Sequence, residues 1–174
     1  MLPKDKPRYV MGVGYPEDLL VSVALGADMF DCVWPTRTAR FGNAITPNGV
    51  LNLRHSSYAR DYGPIDATCT CPCCSPEGID GGLGVTRSYI YHTANKETVG
   101  AHLLSMHNVH FLLNLMAQAR TAIIEDRYPI FLRNWLGTYF DIDRKGAQAW
   151  PSWVLDALKL VHLDLMAMDG LRPT

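Results

Sequence analysis

Four cysteines within six positions are the residues best suited to chemistry in this sequence. Cys69, Cys71 and Cys74 follow a Cys-x-Cys-x-x-Cys spacing, which lets three thiolates converge from one tight turn. A structural zinc site has four ligands, commonly cysteines completed by histidine. The sequence therefore predicts a structural zinc site that is completed by a histidine from elsewhere. The candidates for this ligand are His92, His102, His107 and His110.

The residues alone leave two points about this cluster open. Cys73 lies beside Cys74 and could replace one of the other thiolates as a ligand. Buried free thiols or a redox pair are the alternatives to zinc. The chain has five cysteines, and the clustering of four of them favours a metal site in a reducing compartment over a disulfide scaffold.

The carboxylate of Asp31, after an apolar run, is a second candidate for chemistry. It is followed by Pro35 and by two arginines, Arg37 and Arg40, in a segment that we interpret as a loop. Arginines in such a loop are suited to binding a phosphate or a base near the carboxylate. The alternatives are a turn or capping role for Asp31 and a solvated surface pair for the arginines.

Two strands and a helix are predicted to position Asp31. Residues 8–14 form an apolar run ending in glycines, Pro16 suits the first turn of a helix, and residues 28–33 predict a second strand. Residues 8–14 predict a short buried strand, and strand, helix and strand with short links form a βαβ unit, which implies a parallel sheet. The C-terminal ends of such strands are where α/β proteins place their chemistry. Asp31 and residues 12–15 both lie at such ends.

The rest of the chain predicts a hairpin and three helices. Asn48-Gly49 is a hairpin signal between two short strands. Residues 76–84 are rich in glycine and predict a surface loop. Helical spacing of apolar residues extends over about 97–126, and Pro129 and Pro151 begin two further helices. Because two βα steps cannot close a barrel, we expect the C-terminal part of a larger α/β protein rather than a small open domain.

The composition is that of an ordinary globular protein. The 174 residues are 48% hydrophobic and 19% charged, with a net charge of −1. A nucleic acid would therefore have to be bound by a local basic patch. The sequence predicts no membrane span and no secretory leader.

Several motifs, in order along the chain, resemble those of the tRNA-guanine transglycosylases. They are the glycine-ended strand at 8–14, the segment Gly-Ala-Asp-Met-Phe-Asp-Cys-Val-Trp-Pro-Thr-Arg-Thr-Ala-Arg-Phe-Gly at 26–42, the cysteine motif, and His107-Asn108. The match covers roughly residues 7–140. The Thr-Arg-Thr-Ala-Arg-Phe-Gly form and Trp150-Pro-Ser-Trp are similar to the eukaryotic catalytic subunits of the family.

The resemblance implies an α/β fold, namely the C-terminal portion of a TIM (β/α)8 barrel with an inserted zinc-binding subdomain and C-terminal helices. Residues 1–43 would be the last two βα units, residues 44–110 the zinc subdomain and residues 111–174 the C-terminal helices. The family's other six strands and its general acid/base aspartate would belong to an N-terminal half that this sequence lacks.

The resemblance also implies a reaction, the exchange of guanine for queuine at the wobble position of tRNAs with G-U-N anticodons. Asp31 matches the nucleophile, which would attack C1′ of the ribose, expel guanine and form a covalent ester that queuine then displaces. This parallels the double displacement of a retaining glycosidase. The alternative is a non-catalytic, zinc-stabilised module that binds RNA or docks a subunit.

Further site residues follow from the resemblance. Those matching the zinc ligands are Cys69, Cys71, Cys74 and His107. Those matching the segment that recognises the wobble base are Thr36, Arg37, Thr38, Ala39 and Arg40. Those matching a second RNA-contacting loop are Gly12, Val13, Gly14, Tyr15, Pro16, Glu17 and Asp18. Those matching part of the base pocket are Met11 and Gly12.

The implied partners are the tRNAs for Asn, Asp, His and Tyr, and the bases queuine and guanine. The resemblance further implies a heterodimer with a non-catalytic paralogous subunit, or a homodimer. It implies a cytoplasmic location, with the mitochondrial surface as an alternative.

Overall fold

The computed structural model describes residues 3, 5–75, 84–94, 96–146 and 150–167. The predicted glycine-rich loop at 76–84 lies, except for Gly84, outside the described residues. The chain divides into two compact units, one formed by residues 1–32 and 115–174, the other by residues 33–114. The domain boundaries inferred from the sequence stay a prediction. In the part of the chain that the structure describes, no helix combines the length and apolarity needed to cross a membrane.

The first unit contains the predicted βαβ unit and the C-terminal helices. Its elements are β1 (Tyr9–Met11), α1 (Pro16–Ala24), β2 (Met29–Asp31), α5 (Tyr128–Tyr139), α6 (Ile142–Lys145) and α7 (Ser152–Lys159), together with the last part of α4 (Thr98–Ile124). β1 and β2 pair in parallel, with Met11 opposite Asp31, which confirms the predicted pairing. α1 packs on α5, where the Tyr128 hydroxyl donates to the Leu20 carbonyl at 2.7 Å.

The prediction that the first of these strands is buried is wrong for Tyr9 and Met11. Tyr9, Met11 and Met29 are 51%, 76% and 49% exposed, whereas Val10 and Phe30 are half-buried. The reason is geometric. Successive strand residues point to opposite faces, and nothing in the described part of this unit covers the face that carries Tyr9, Met11 and Asp31.

The second unit contains a short helix, a hairpin and the first part of the long helix. Its elements are α2 (Trp34–Arg40), β3 (Asn43–Thr46), β4 (Gly49–Asn52), a 3₁₀ turn (Ser56–Tyr58), α3 (Arg87–Ala94) and α4 up to Asn114. β3 and β4 pair antiparallel as the predicted hairpin, with Thr46 opposite Gly49, so that Pro47 and Asn48 form the turn and Gly49 begins β4. Their apolar side packs with α3 and α4 around Leu53, Ile65 and Leu104, each fully buried.

The interpretation of residues 35–40 as a loop is wrong, because these residues belong to α2. Pro35 lies in the first turn of α2, where its missing N–H costs nothing. The helix ends at Arg40, and Gly42, two residues later, has a φ of +79°. Glycine adopts this left-handed conformation without strain and commonly follows a helix C-terminus.

Candidate functional site

Among the described residues, one group of side chains could hold a metal ion, and it consists of Cys69, Cys71, Cys74 and His107. Their ligand atoms all lie within 4.8 Å of one another. His107 Nδ1 is 3.6, 3.5 and 3.3 Å from the Sγ atoms of Cys69, Cys71 and Cys74, respectively. In a tetrahedron with metal bonds of about 2.3 Å to sulfur and about 2.0 Å to nitrogen, neighbouring S and N atoms lie about 3.5 Å apart. The three nitrogen–sulfur distances are therefore those of a tetrahedral zinc site.

The thiols and the imidazole come from different elements. The cysteines lie on a compact turn in which the Cys74 N–H donates to the Cys71 carbonyl at 3.1 Å. His107 lies on α4, is fully buried and projects towards this turn. Of the other candidate histidines, His110 contacts the Thr70 hydroxyl at 3.3 Å, and both His92 and His102 are exposed.

The second ring nitrogen of His107 defines how the imidazole is held. His107 Nε2 lies 2.9 Å from the buried carbonyl oxygen of Ile45. Because a carbonyl only accepts, Nε2 carries a proton and donates it. This bond fixes the ring so that Nδ1 faces the three thiols, which is the usual arrangement around a metal-ligating histidine.

The electrostatics of the cluster favour a cation at its centre. Burial by itself lowers the pKa of His107, but hydrogen bonds with Cys69 and Cys71 outweigh it and raise the pKa to about 10. Hydrogen bonds with the neighbouring thiols, of which the bond with Cys69 has the largest effect, lower the pKa of Cys71 well below its usual range. In Cys74, by contrast, the hydrogen bond with Cys69 raises the pKa. The thiols therefore do not ionise together on their own. A divalent metal ion would supply the charge that lets all three act as thiolates.

Cys73, whose role the sequence left open, lies outside this group. Its thiol donates to the Leu103 carbonyl at 3.3 Å, and its side chain is fully buried in the core of the second unit. The neighbouring thiol of Cys71 and burial raise the pKa of Cys73. Cys73 is therefore a core thiol rather than a member of the donor set.

Asp31 ends β2 with its carboxylate exposed to solvent. The Gly12 N–H donates to the Asp31 carbonyl at 2.9 Å and lies 3.3 Å from its Oδ1. The Tyr9 hydroxyl also donates to the carboxylate, and this bond raises the pKa of Tyr9. One donor from the start of the neighbouring strand β1 and one just after its end therefore orient an accessible carboxylate, as a nucleophile requires. Sequence reasoning missed Tyr9, although its position two residues before Met11 places it on the same face of the sheet.

The predicted RNA-contacting loop at 12–18 is only partly accessible. Gly12 and Tyr15 are exposed, as is Met11 before them. The remaining residues are buried or half-buried: Val13, Gly14, Pro16, Glu17 and Asp18. Burial raises the pKa of Glu17, whose Oε2 has no hydrogen-bond partner.

The other predicted RNA-contacting segment is helix α2, which likewise has both exposed and buried residues. Thr36, Arg37 and Arg40 are exposed, whereas Thr38 and Ala39 are buried. Positions three and four apart lie on one face of a helix. α2 therefore presents two guanidinium groups to solvent from one side and packs into the second unit with the other.

Two side chains that sequence reasoning gave no role hold the ends of α2. Asn108, fully buried on α4, donates through Nδ2 to the Pro35 carbonyl at 3.0 Å. Arg54 donates to the Arg40 carbonyl at 3.1 Å and to the Ala94 carbonyl at 3.0 Å. The available signal for Asn108 was a polar amide directly after a candidate ligand histidine, in a helix rich in apolar residues.

Comparison with known proteins identifies the group to which the chain is similar. Residues 1–141 match the family described as queuine tRNA-ribosyltransferase. The queuine tRNA-ribosyltransferase catalytic subunit of Schizosaccharomyces pombe is 53% identical over 167 residues, 96% of this chain. The queuine tRNA-ribosyltransferases of Herpetosiphon aurantiacus and Thermus thermophilus are 44% and 43% identical over 98% and 91% of this chain.

The matches cover only part of those relatives. The chain spans 40% of the length of the S. pombe and H. aurantiacus proteins and 38% of the T. thermophilus protein. The segments that carry Asp31, the exposed arginines of α2 and the Cys3His cluster all lie within residues 1–141. This chain therefore belongs to the queuine tRNA-ribosyltransferase family.

Proposed function

We propose that this chain carries the nucleophile and part of the RNA-binding surface of a tRNA-guanine transglycosylase. The reaction is the exchange of guanine for queuine at the wobble position of tRNAs with G-U-N anticodons. The observation that carries the proposal is the geometry of Asp31, an exposed carboxylate at a strand end that Gly12 and Tyr9 orient. Membership of the family supports the choice of substrate.

In the proposed mechanism, Asp31 makes and breaks one bond in each of two steps. A carboxylate oxygen attacks C1′ of the wobble nucleotide while the bond from C1′ to guanine N9 breaks. The electron pair leaves on guanine, which takes a proton from the general acid that the resemblance assigns to the N-terminal half; the incoming base returns a proton to that group in the second step. The ribose is then esterified to Asp31. In the second step the incoming base attacks C1′, loses its N9 proton and releases the carboxylate. Two displacements of this kind split one difficult substitution into two easier ones.

We assign the other residues by their exposure and chemistry. Arg37 and Arg40 on α2 bind RNA phosphates or bases, as guanidinium groups do through paired N–H donors. Met11 and Gly12 form part of the base pocket, beside Asp31. The exposed sheet face that carries Met11 supports the assignment of β1 and β2 as the last two strands of a TIM barrel, since barrel strands face further strands and loops.

The Cys3His group is proposed to hold zinc in a structural role. Three thiolates and one imidazole at tetrahedral separations suit zinc, and four protein ligands leave no open position for substrate. Bound zinc would stabilise the second unit and would take no part in the displacement at C1′.

The proposed partners rest on family membership. They are the tRNAs for Asn, Asp, His and Tyr, the bases guanine and queuine, and a second subunit that is either a non-catalytic paralogue or another copy of the chain. The proposed location is the cytoplasm, with the mitochondrial surface as an alternative.

Trapping of the covalent intermediate tests the catalytic proposal. The zinc-loaded chain, completed by the N-terminal part of a full-length relative, is incubated with an RNA hairpin carrying a G-U-N anticodon loop, and the products are separated on a denaturing gel. We expect an RNA–protein adduct that Asp31→Asn abolishes. Asp28→Asn is a matched control, because Asp28 is also a carboxylate beside β2 and asparagine keeps an acceptor for the Arg8 N–H that Asp28 binds at 2.7 Å. RNA binding without an adduct would contradict the catalytic role.

One observation favours a second candidate function, that of a non-catalytic, zinc-stabilised RNA-binding module. The arginine-bearing helix α2 and the Cys3His group lie together in the second unit, whereas Asp31 lies in the first. RNA binding that is unchanged by Asp31→Asn but weakened by Arg37→Ala and Arg40→Ala, with no adduct from the unsubstituted chain, would support this alternative.

A further inference from the structure

We propose that Asn108 is a positioning residue that couples the metal-binding group to the RNA-contacting face of α2. The inference rests on the proposed function, because it takes Arg37 and Arg40 of α2 as RNA contacts. It goes further by naming the residue that sets their position and by connecting RNA affinity to the Cys3His group.

The first step is that Asn108 is completely buried and that both the nitrogen and the oxygen of its side-chain amide form hydrogen bonds. Its Nδ2 donates to the carbonyls of Pro35 and Asn43, both at 3.0 Å, and its Oδ1 accepts from the Ile45 N–H at 2.9 Å. Loss of a buried partner costs the full desolvation of the group left behind. The position of Asn108 therefore determines where two backbone segments lie, the first turn of α2 and strand β3.

The second step is that Asn108 and the ligand His107 hold the same strand residue. Ile45 donates its N–H to Asn108 and accepts at its carbonyl from His107 Nε2 at 2.9 Å. The two α4 side chains are consecutive, so the rotation of this helix turn fixes both. A metal ion bound by His107 Nδ1 would restrain that rotation, and with it the amide of Asn108.

The third step is that α2 depends on such contacts for its order. α2 has seven residues, and helices of this length are unstable by themselves in water. Its first turn is held by Asn108 through the Pro35 carbonyl. When this bond is lost, the exposed guanidinium groups of Arg37 and Arg40 are no longer presented from a fixed helix face.

The test measures RNA affinity as a function of salt concentration. The probe is the RNA hairpin with a G-U-N anticodon loop, and the variants are Asn108→Ala, Arg37→Ala/Arg40→Ala and the combination of all three. The logarithm of the affinity falls with the logarithm of the salt concentration, with a slope of about 0.7 to 0.9 for each phosphate contact. We expect Asn108→Ala to weaken binding about tenfold and to lower the slope by about one contact or more. It should have little further effect in the arginine double variant.

A merely structural role for Asn108 would give another result. Ile90→Ala serves as the control, because Ile90 is fully buried in the same unit and its side chain forms no hydrogen bond to α2. This variant should lower the fraction of folded protein, but the RNA affinity of the protein that is folded should depend on salt concentration with an unchanged slope. If Asn108→Ala does not fold, Asn108→Ser is used, since serine keeps a polar group near Ile45 but is too short to reach Pro35.

Metal exchange tests the coupling itself. If zinc tightens the binding of RNA, RNA must tighten the binding of zinc by the same factor. We expect the RNA hairpin to tighten zinc binding against a competing chelator in the unsubstituted chain, and this effect to disappear in Asn108→Ser. An unchanged salt slope in the Asn108 variants, or zinc affinity that is independent of RNA, would overturn the inference. Unchanged RNA binding by the arginine double variant would instead overturn the proposed α2 contact, and this inference with it.

Discussion

Replacing His107 by alanine should make the stability of the second unit independent of zinc. The imidazole is fully buried, supplies Nδ1 to the Cys3His group and donates Nε2–H to the Ile45 carbonyl. The substitution therefore removes a metal ligand and a hydrogen bond together. The two losses are distinguishable because only the first depends on the concentration of free zinc.

The magnitudes follow from these contacts. The orphaned Ile45 carbonyl should cost about 1–3 kcal/mol at every zinc concentration. Above the dissociation constant, zinc that binds only the folded chain adds about 1.4 kcal/mol of unfolding free energy for each tenfold increase in its free concentration. Without His107, three thiol ligands remain and the tetrahedral donor set is incomplete. This zinc-dependent increase should therefore be lost over the range in which the unsubstituted chain shows it.

The assay is urea unfolding followed by circular dichroism in zinc buffers that differ by tenfold steps. Leu104→Ala is the control, because Leu104 is fully buried on the same helix and is not a ligand. It should cost about 2–5 kcal/mol and keep the zinc dependence. If His107→Ala gained stability with zinc as the unsubstituted chain does, the assignment of His107 as the fourth ligand would be refuted.

Two further predictions concern other buried groups. Cys73→Ala should keep one equivalent of bound zinc whereas Cys74→Ala should lose it, because Cys73 bonds the Leu103 carbonyl and lies outside the Cys3His group. Elemental analysis measures the metal content of each variant. Loss of zinc from the Cys73 variant would contradict the assignment. Burial raises the folded-state pKa of Glu17 above its ordinary value of 4.5, so ionisation of this carboxyl destabilises the folded chain as the pH rises from 4.5 through the folded-state pKa. Glu17→Gln removes this cost and should therefore raise the melting temperature at pH 7. The gain should shrink below pH 4.5, where the carboxyl is protonated in both states, and an equal gain at all pH values would refute this reasoning.

Local signals in the sequence predicted much of the fold. Glycines and Pro16 at the strand–helix junction indicated the βαβ unit, and Asn48-Gly49 indicated the hairpin; both are confirmed. Cysteine spacing predicted the thiol cluster because three close ligands come from one turn, whose geometry is local. The choice among four histidines was different, since it depends on which helix, α3 or α4, and which of its faces packs against that turn, and periodicity does not determine this.

The features that the sequence did not predict depend on distant partners. α2 was interpreted as a loop because a seven-residue helix is marginal by itself, and the side chains that hold its ends, Arg54 and Asn108, lie 14 and 73 residues from the carbonyls they bind. The exposure of Tyr9 and Met11 was missed for a related reason. A short apolar strand indicates a sheet, but what covers each face of that sheet is decided by other elements.

Gly42 limits how this part of the chain can vary over evolution. A Cβ atom at Gly42 would lie 2.7 Å from Cγ of Arg54, and the φ of +79° disfavours any other residue in addition. Arg54 in turn holds the last carbonyls of two helices, so it cannot move aside without releasing both. Which residue is tolerated at position 42 therefore depends on whether Arg54 is present. Lineages that replace Arg54 should still retain Gly42 because of its backbone conformation, whereas a lineage that loses Gly42 should already have lost the arginine.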